Sequence, residues 1–417
     1  MIAFIRKKLT RSSVAIAVAL LVASALGLTT TAYARGGEQW FTATGFSQQG
    51  LGPAAEAVTN ATVRMIQRST IAGNFVRVRL ENTFGLAPVT FGEAFVGLRD
   101  TGAALVPRSR TQLTFGGLSS VTIPPGEGVT SDSVRLKVEA QEDIAVSLYV
   151  PGASVQASRH NNARITSYRT AANAGNHAAD ADGTAFTTMT TQMLWVAAID
   201  VFAPSVTGAI VCFGDSITDG TGSTVDGHDR WHDVLALRLL ELPANQMKSI
   251  VNEGIGGNRI NPPGGQGPAA VLRLDRDVLG RAGATHVIFF EGTNDIAGGA
   301  TAAQVIAGAQ EIIDRVHDAG LTIIGVTIIP RHNAAWTPAM TAFRNDVNAW
   351  IRNVADFDAV IDFDEVVRDP GFPDLINPIY DLGDHIHPNP LGYAVMGNAI
   401  DLAILENIAA WAVGAKH

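Results

Sequence analysis

Cysteine is nearly missing from this 417-residue chain. Cys212 stands alone, so no intrachain disulfide can form. It lies in the apolar run Ile210-Val211-Cys212-Phe213, where a thiol is expected to pack as a small hydrophobe rather than face a cleft. Clustered positive charge is also absent, except at the start. Arg6, Lys7, Lys8 and Arg11 precede an uncharged, mostly apolar stretch from Val14 to Leu28, and Ala32-Tyr33-Ala34 has the small-x-small form of a cleavage site. That order reads as a secretory signal peptide over residues 1–34, removed near Ala34 to leave a periplasmic or extracellular protein. No stable membrane anchor is expected, because the apolar stretch is short for a span. No twin arginine is present, which favours the general secretory route. Cleavage would take the basic residues from 30 to 26 against 39 acidic ones, and the formal charge from −9 to −13. So acidic a chain, without a basic patch, is a poor nucleic-acid binder. Internal repeats and low-complexity tracts are absent too.

What remains has an ordinary globular composition and length enough for two domains. Residues 39–203 favour short strands broken by Gly, Pro, Asn and Ser. Asn74–Glu81 alternates apolar and charged positions, and Val89–Leu98, Val121–Ile123, Val134–Val138 and Ile144–Val150 repeat the theme. Turn signals such as Pro124-Pro125-Gly126 and Pro151-Gly152 separate them. This spacing, with no helical pattern, predicts an all-β, jelly-roll-like sandwich. Residues 153–190, rich in Ala, Asn, Thr and Ser, read as long surface loops.

After Pro204 the pattern changes to buried-strand runs at Ala209–Phe213, Ser249–Val251, His286–Phe290, Thr322–Ile328 and Ala359–Ile361. Helical stretches lie between them at Trp231–Leu240, Pro268–Leu279, Ala302–Ala319 and Pro338–Ala355, with a last one from Leu391 to Val413. Such alternation predicts an α/β domain over 208–417 with a parallel sheet, the boundary falling at Ala203–Gly208.

Each of the first three α/β strands ends in an unusual turn: Gly214-Asp215-Ser216-Ile217, Asn252-Glu253-Gly254-Ile255-Gly256-Gly257-Asn258 and Glu291-Gly292-Thr293-Asn294-Asp295. The loop Asp384-His385-Ile386-His387-Pro388 precedes the last helix. Ligands of open α/β sheets bind outside the carboxyl ends of the strands, so these segments should converge. Ser216 then has the place of a nucleophile, His387 of its base and Asp384 of the carboxylate that orients the base. The N–H groups of Ser216 and Gly257 and the amide of Asn294 would serve as oxyanion donors, each worth roughly 3–4 kcal/mol. Gly256 competes with Gly257 for that role. Asp215 reads as a helix cap and Asp295 as a structural partner of the Asn294 turn.

These four blocks, in this order over about 208–413, resemble the SGNH (GDSL) hydrolase family, with Ile217 where its first block has Leu. The resemblance implies a flavodoxin-like sheet of about five strands. It also implies Ser216 as nucleophile, Gly257 and Asn294 as oxyanion donors, and Asp384 with His387 completing the triad. The N-terminal half resembles the β-sandwich extension of some exported bacterial members.

Arg230 and Arg259 are candidate substrate contacts, as are His385 and Arg331. His385-x-His387 beside Asp384 could also be read as a metal pair, but no third and fourth ligands cluster with it in the sequence. His286 and His317 are assigned to packing or surface. The expected function is therefore carboxylic ester hydrolysis with neither metal nor organic cofactor. The expected partner is a small-molecule or polysaccharide ester, in particular one carrying short acyl groups such as acetyl. Lipase or lysophospholipase activity, acyl transfer, and an inert glycan-binding wall protein are the competing readings.

Overall fold

The computed structural model describes residues 39–50 and 57–406. The expected signal peptide lies outside them. Two antiparallel sheets form the first half. One runs, in spatial order, Trp40–Gly45, Val196–Phe202, Gly73–Glu81 and Val134–Val138, with Gly128–Thr130 also on Gly73–Glu81. The other runs Thr188–Thr190, Ser167–Arg169, Ala61–Arg68, Asp143–Val150, Glu93–Leu98 and Thr111–Gln112. Alternation decides which side chains enter the core. Val76, Val78 and Leu80 are fully buried from one sheet and Val63, Met65, Val146 and Leu148 from the other, all in one apolar cluster. Each such side chain stabilises the fold by about 1.5–3 kcal/mol at most.

Residues 153–190 correct the loop expectation. They include short strands at Val155–Gln156, Arg159–His160, Ser167–Arg169 and Thr188–Thr190, and many of their side chains are buried. The reason is visible on strand Ala61–Arg68, which is covered on both faces. Arg64 is completely buried, with Nε donating to Ser147 Oγ at 2.8 Å, Nη2 to the Asp180 carbonyl at 2.6 Å and its guanidinium over the Phe186 ring. Small polar residues suit a segment whose backbone and hydroxyls must satisfy a neighbouring strand, as Thr170 Oγ1 does for the Thr62 N–H.

The chain crosses from Phe202 to Ala209 into a five-stranded parallel sheet of order Ser249–Gly254, Ala209–Gly214, Ala284–Phe290, Thr322–Val326 and Ala359–Ile361. In chain order this is 2-1-3-4-5, the flavodoxin-like arrangement. Both faces are covered, so the strands read as continuous apolar runs. Ala209, Val211 and Phe213 point towards the helices Ala302–Asp318 and Pro338–Asn353, while Ile210 and Cys212 point towards Trp231–Leu240 and Pro390–Ala399. Burial pushes the Cys212 thiol up, which keeps it inert.

The last helix differs from expectation. It ends at Ala399, and Leu402–Leu405 forms a separate short turn that Asp401 caps through the Ala403 N–H. Arg238 Nη1 takes the freed carbonyls of Gly397 and Ile400 at 2.7 and 2.8 Å. The remainder of that expected helix, past Glu406, lies outside the described residues. Among the described residues no helix is long and apolar enough to cross a membrane.

The sandwich and the parallel sheet share a wall. Ser249 Oγ donates to the Thr42 carbonyl at 2.8 Å, the Ile250 N–H donates to Thr70 Oγ1 at 3.0 Å, and Ser47 Oγ donates to Glu253 Oε2 at 2.6 Å. The strand edge at Ser249–Gly254 is therefore covered rather than left open for association.

Candidate active site

The strand order reverses between Ala209–Gly214 and Ala284–Phe290, and the expected site residues gather at the carboxyl ends of these two strands. Ser216 opens a one-turn helix, Ser216–Asp219, capped by Asp215, whose carboxylate accepts the Ile217 N–H at 2.9 Å. Burial raises the Asp215 carboxyl to about 7, with the neighbouring charges of Asp295 and Asp219 adding to it against the Ile217 hydrogen bond and Arg331. Gly254 allows this turn to sit tight on the next strand, since a Cβ there would stand 2.2 Å from the Asp219 nitrogen.

Ser216 Oγ lies 2.8 Å from His387 Nε2, and His387 Nδ1 lies 2.6 Å from Asp384 Oδ2. The other Asp384 oxygen accepts the N–H groups of Ile386 and His387, both at 2.9 Å. Burial opposes the charge on Asp384. The His387 ring bond and these backbone donors outweigh it, so the carboxyl sits below its usual range. With Asp384 accepting from Nδ1–H, Nε2 is left to accept the serine proton.

The two N–H groups of the glycine turn differ. The Gly256 N–H donates to Asp219 Oδ2 at 2.9 Å and is thereby occupied. Gly257, at φ +73°, has an N–H with no acceptor among the described residues, and both glycines line the cavity beside Ser216. Asn294 gives one amide hydrogen to the Asn258 carbonyl at 3.0 Å, while Arg331 Nη1 lies 3.5 Å from its oxygen. That orientation leaves the second amide hydrogen for a ligand. Asn258 holds the turn through the carbonyls of Gly264, Gln266 and Pro268. Asp295 is structural, but it serves the neighbouring loop, accepting the N–H groups of Ile260 and Asn261.

Three candidate contacts are corrected. Arg230 is buried and paired with Asp233 through Nε at 2.7 Å and Nη2 at 3.1 Å, so its charge is spent in the protein rather than in the cavity. Arg259 packs on Gly298 and faces a separate cavity, of about 490 Å³. His385, at φ +62°, does not line the cavity beside Ser216 but bonds Asp381 Oδ2 at 2.6 Å and stacks on His332 with 4.4 Å between ring centroids. His332, Asp381 and His385 bring ligand-type atoms within 4.8 Å of one another, a cluster of the kind that can hold a divalent cation. It does not include Asp384 or His387.

The sandwich supplies residues that the sequence reading missed. His160 is fully buried, with Nε2 3.0 Å from Asp219 Oδ1 and Nδ1 2.9 Å from the Ser47 carbonyl. Asn161, Asn162 and Arg164 follow it into the wall of a cavity of about 340 Å³ that also contains Ser216, Asn294, Arg331 and His387. The available signal was local: residues 158–164 pack one histidine, two amides and two guanidiniums into a stretch otherwise read as loop. Arg273 was missed as well. Wholly buried, it donates to the carbonyls of Gly214 at 3.0 Å and Glu253 at 2.7 Å and to Asn258 Oδ1 at 3.0 Å, joining the ends of two strands to the glycine turn.

This constellation lies at the switch point of the 2-1-3-4-5 sheet. Residues 212–395 match the GDSL-like Lipase/Acylhydrolase family. Solved structures similar to it include a carbohydrate acetylesterase family member from Sinorhizobium meliloti, 18% identical over 47% of this chain and 97% of that one, with a TM-score of 0.38. Also similar are the aryl esterase of M. smegmatis (17% identity, 46% of this chain and 95% of that one, TM-score 0.37) and a member of the lipolytic G-D-S-L family from Veillonella parvula (21%, 46% and 94%, 0.35). No curated protein matches the chain.

Proposed function

We propose that this protein is an exported serine esterase that hydrolyses short acyl esters of carbohydrate, acetyl esters above all, through an acyl-enzyme on Ser216. The observation that carries the reading is the continuous hydrogen-bonded line from Ser216 Oγ through His387 to Asp384. Ser216 Oγ attacks the ester carbonyl carbon while His387 Nε2 takes its proton. The carbonyl oxygen becomes an anion facing the N–H groups of Ser216 and Gly257 and the Asn294 amide. Collapse of that intermediate breaks the bond to the alcohol oxygen, which leaves with the proton returned by His387. Water then repeats the sequence on the acyl-serine, releasing the carboxylic acid and restoring the hydroxyl.

The carbohydrate reading rests on the cavity wall, where Gln49, Asn161, Asn162 and Gln266 offer amides suited to hydroxyl groups and Ile386 is the one large apolar side chain. Export rests on the leader-like first 34 residues. The test is labelling with a fluorophosphonate, followed by mapping of the modified peptide. The label is expected on the peptide holding Ser216, and acetylated xylan and short 4-nitrophenyl esters should be turned over better than lysophospholipid. A label on another serine sinks the mechanism; preference for long acyl chains sinks the carbohydrate assignment.

A further inference from the structure

Two guanidiniums line the cavity around Ser216 in a chain that is acidic overall, of formal charge −9: Arg164 from the sandwich and Arg331 from the segment after the fourth parallel strand. Neither lies within ion-pair distance of a carboxylate among the described residues. Arg164 spends Nε on Ser223 Oγ at 3.3 Å and Nη2 on the Ser223 carbonyl. Arg331 spends Nε on Asn333 Oδ1 at 3.1 Å, and its Nη1 lies near Asn294 Oδ1. A guanidinium has five N–H groups, so the Nη1 pair of Arg164 stays free for a ligand. The acid in the same wall, Asp219, is already answered by His160 and the Gly256 N–H.

Arg164 is also held in place. Its backbone is in the left-handed region at φ +57°, which non-glycine residues seldom adopt. Its carbonyl accepts the Asp226 N–H at 2.9 Å, and Asp226 in turn binds the N–H and hydroxyl of Thr166. The side chain is therefore presented at a fixed point instead of sampling solvent, which lowers the entropy cost of binding. Arg164 shares its loop with Asn161 and Asn162, the amides that suit hydroxyl groups, so its charge belongs to the sugar side of the ester rather than to the acyl side.

We propose that this esterase selects esters whose alcohol part is an acidic sugar, the carboxylate of a uronic-acid residue being taken by Arg164 while Arg331 adds to the positive field. The inference rests on the esterase reading above and narrows it to one substrate class.

The test compares an O-acetylated methyl glucuronoside with the corresponding methyl glucoside, acetylated at the same position, with 4-nitrophenyl acetate as a control ester. For the wild type kcat/KM should favour the uronate by roughly tenfold to a hundredfold, the range expected of a charge-assisted hydrogen bond. That preference should shrink as salt rises from about 0.05 M to about 1 M. It should disappear in Arg164→Gln and survive in part in Arg164→Lys. Equal rates on the two sugars, with 4-nitrophenyl acetate still hydrolysed, overturn the inference alone. A preference that persists in soluble Arg164→Gln overturns it too. Should that variant fail to fold, a wild-type preference indifferent to salt overturns it. No hydrolysis of any of the three esters overturns the esterase reading as well.

Discussion

His160 Nε2 stands 3.0 Å from Asp219 Oδ1, so a buried histidine of the β-sandwich grips the turn that carries Ser216. The second Asp219 oxygen accepts the Gly256 N–H at 2.9 Å, one residue before the free N–H of Gly257. The sandwich thus fixes the orientation of the glycine turn without touching the reacting atoms. Misplacing a catalytic group by about 1 Å costs on the order of 10²-fold in rate. His160→Ala is accordingly expected to lower kcat on 4-nitrophenyl acetate by about that factor with little change in KM, and His160→Gln, which can still donate, to recover part of it. A lower melting temperature with kcat intact would make His160 a purely structural strut.

The same pair predicts a pH dependence of stability. Burial by itself would lower the His160 pKa, but the charge of Asp219 and the hydrogen bonds that the ring gives to its carboxylate and to the Ser47 carbonyl outweigh burial and raise it above the ordinary 6.5. A raised folded-state value means the fold prefers the protonated ring. The stabilisation is then complete below pH 6.5 and is lost as pH climbs through the raised value. In urea unfolding, the gap between wild type and His160→Gln should be wider at about pH 6 than at about pH 9. A gap that is flat or widens with pH contradicts the pairing.

Asp384 has a different sign and a different readout. Its carboxyl is held below the usual range, so the carboxylate persists through mildly acidic conditions and its ionisation does not set the acidic limb of activity. Asp384→Asn keeps the shape but favours the wrong imidazole tautomer, and kcat should fall by about 10⁴-fold. A loss of only a few fold would show that His387 needs no partner there.

Asn294 is expected to act on the transition state alone. Asn294→Ala should lower kcat by about 10²- to 10³-fold and leave KM nearly unchanged, since the donor matters only once the oxyanion forms. An increase in KM at constant kcat would instead mean that the amide binds the ground state.

Arg273 tests the scaffold rather than the chemistry. It is fully buried, within 3.3 Å of Asp277 and 3.5 Å of Glu291, and holds the carbonyls of Gly214 and Glu253. Arg273→Met leaves the buried Glu291 without its cation and strips one donor from each of these carbonyls, which should cost about 3–5 kcal/mol in chemical denaturation. A loss of under about 1 kcal/mol would show that the network relaxes around the gap.

Much of this was legible in the chain itself. The buried runs Ala209–Phe213 and His286–Phe290 declare parallel strands because a sheet covered on both faces has no polar side to alternate with. The turns after them carry the site because only strand ends leave backbone and side chains open to a ligand. Ser216, His387, Asp384 and Asn294 could therefore be picked out by residue type and position. Local pattern also sufficed for the sandwich strands, where a period of two marks a half-buried ribbon.

The tertiary structure alone decided which polar residues converge. His160 lies 59 positions from Asp219, Arg164 59 from Ser223 and Arg273 226 from Ser47, yet each pair is within hydrogen-bonding reach in space. Nothing in local periodicity encodes such a contact, because the free energy of burying a charge depends on what meets it from elsewhere in the chain. The same reason separates Arg230, neutralised by Asp233 inside the protein, from Arg164, which lines the cavity with no carboxylate within ion-pair distance among the described residues. Composition and spacing determined the chemistry this chain can perform; packing between its two halves determined the shape and charge of the space in which it performs it.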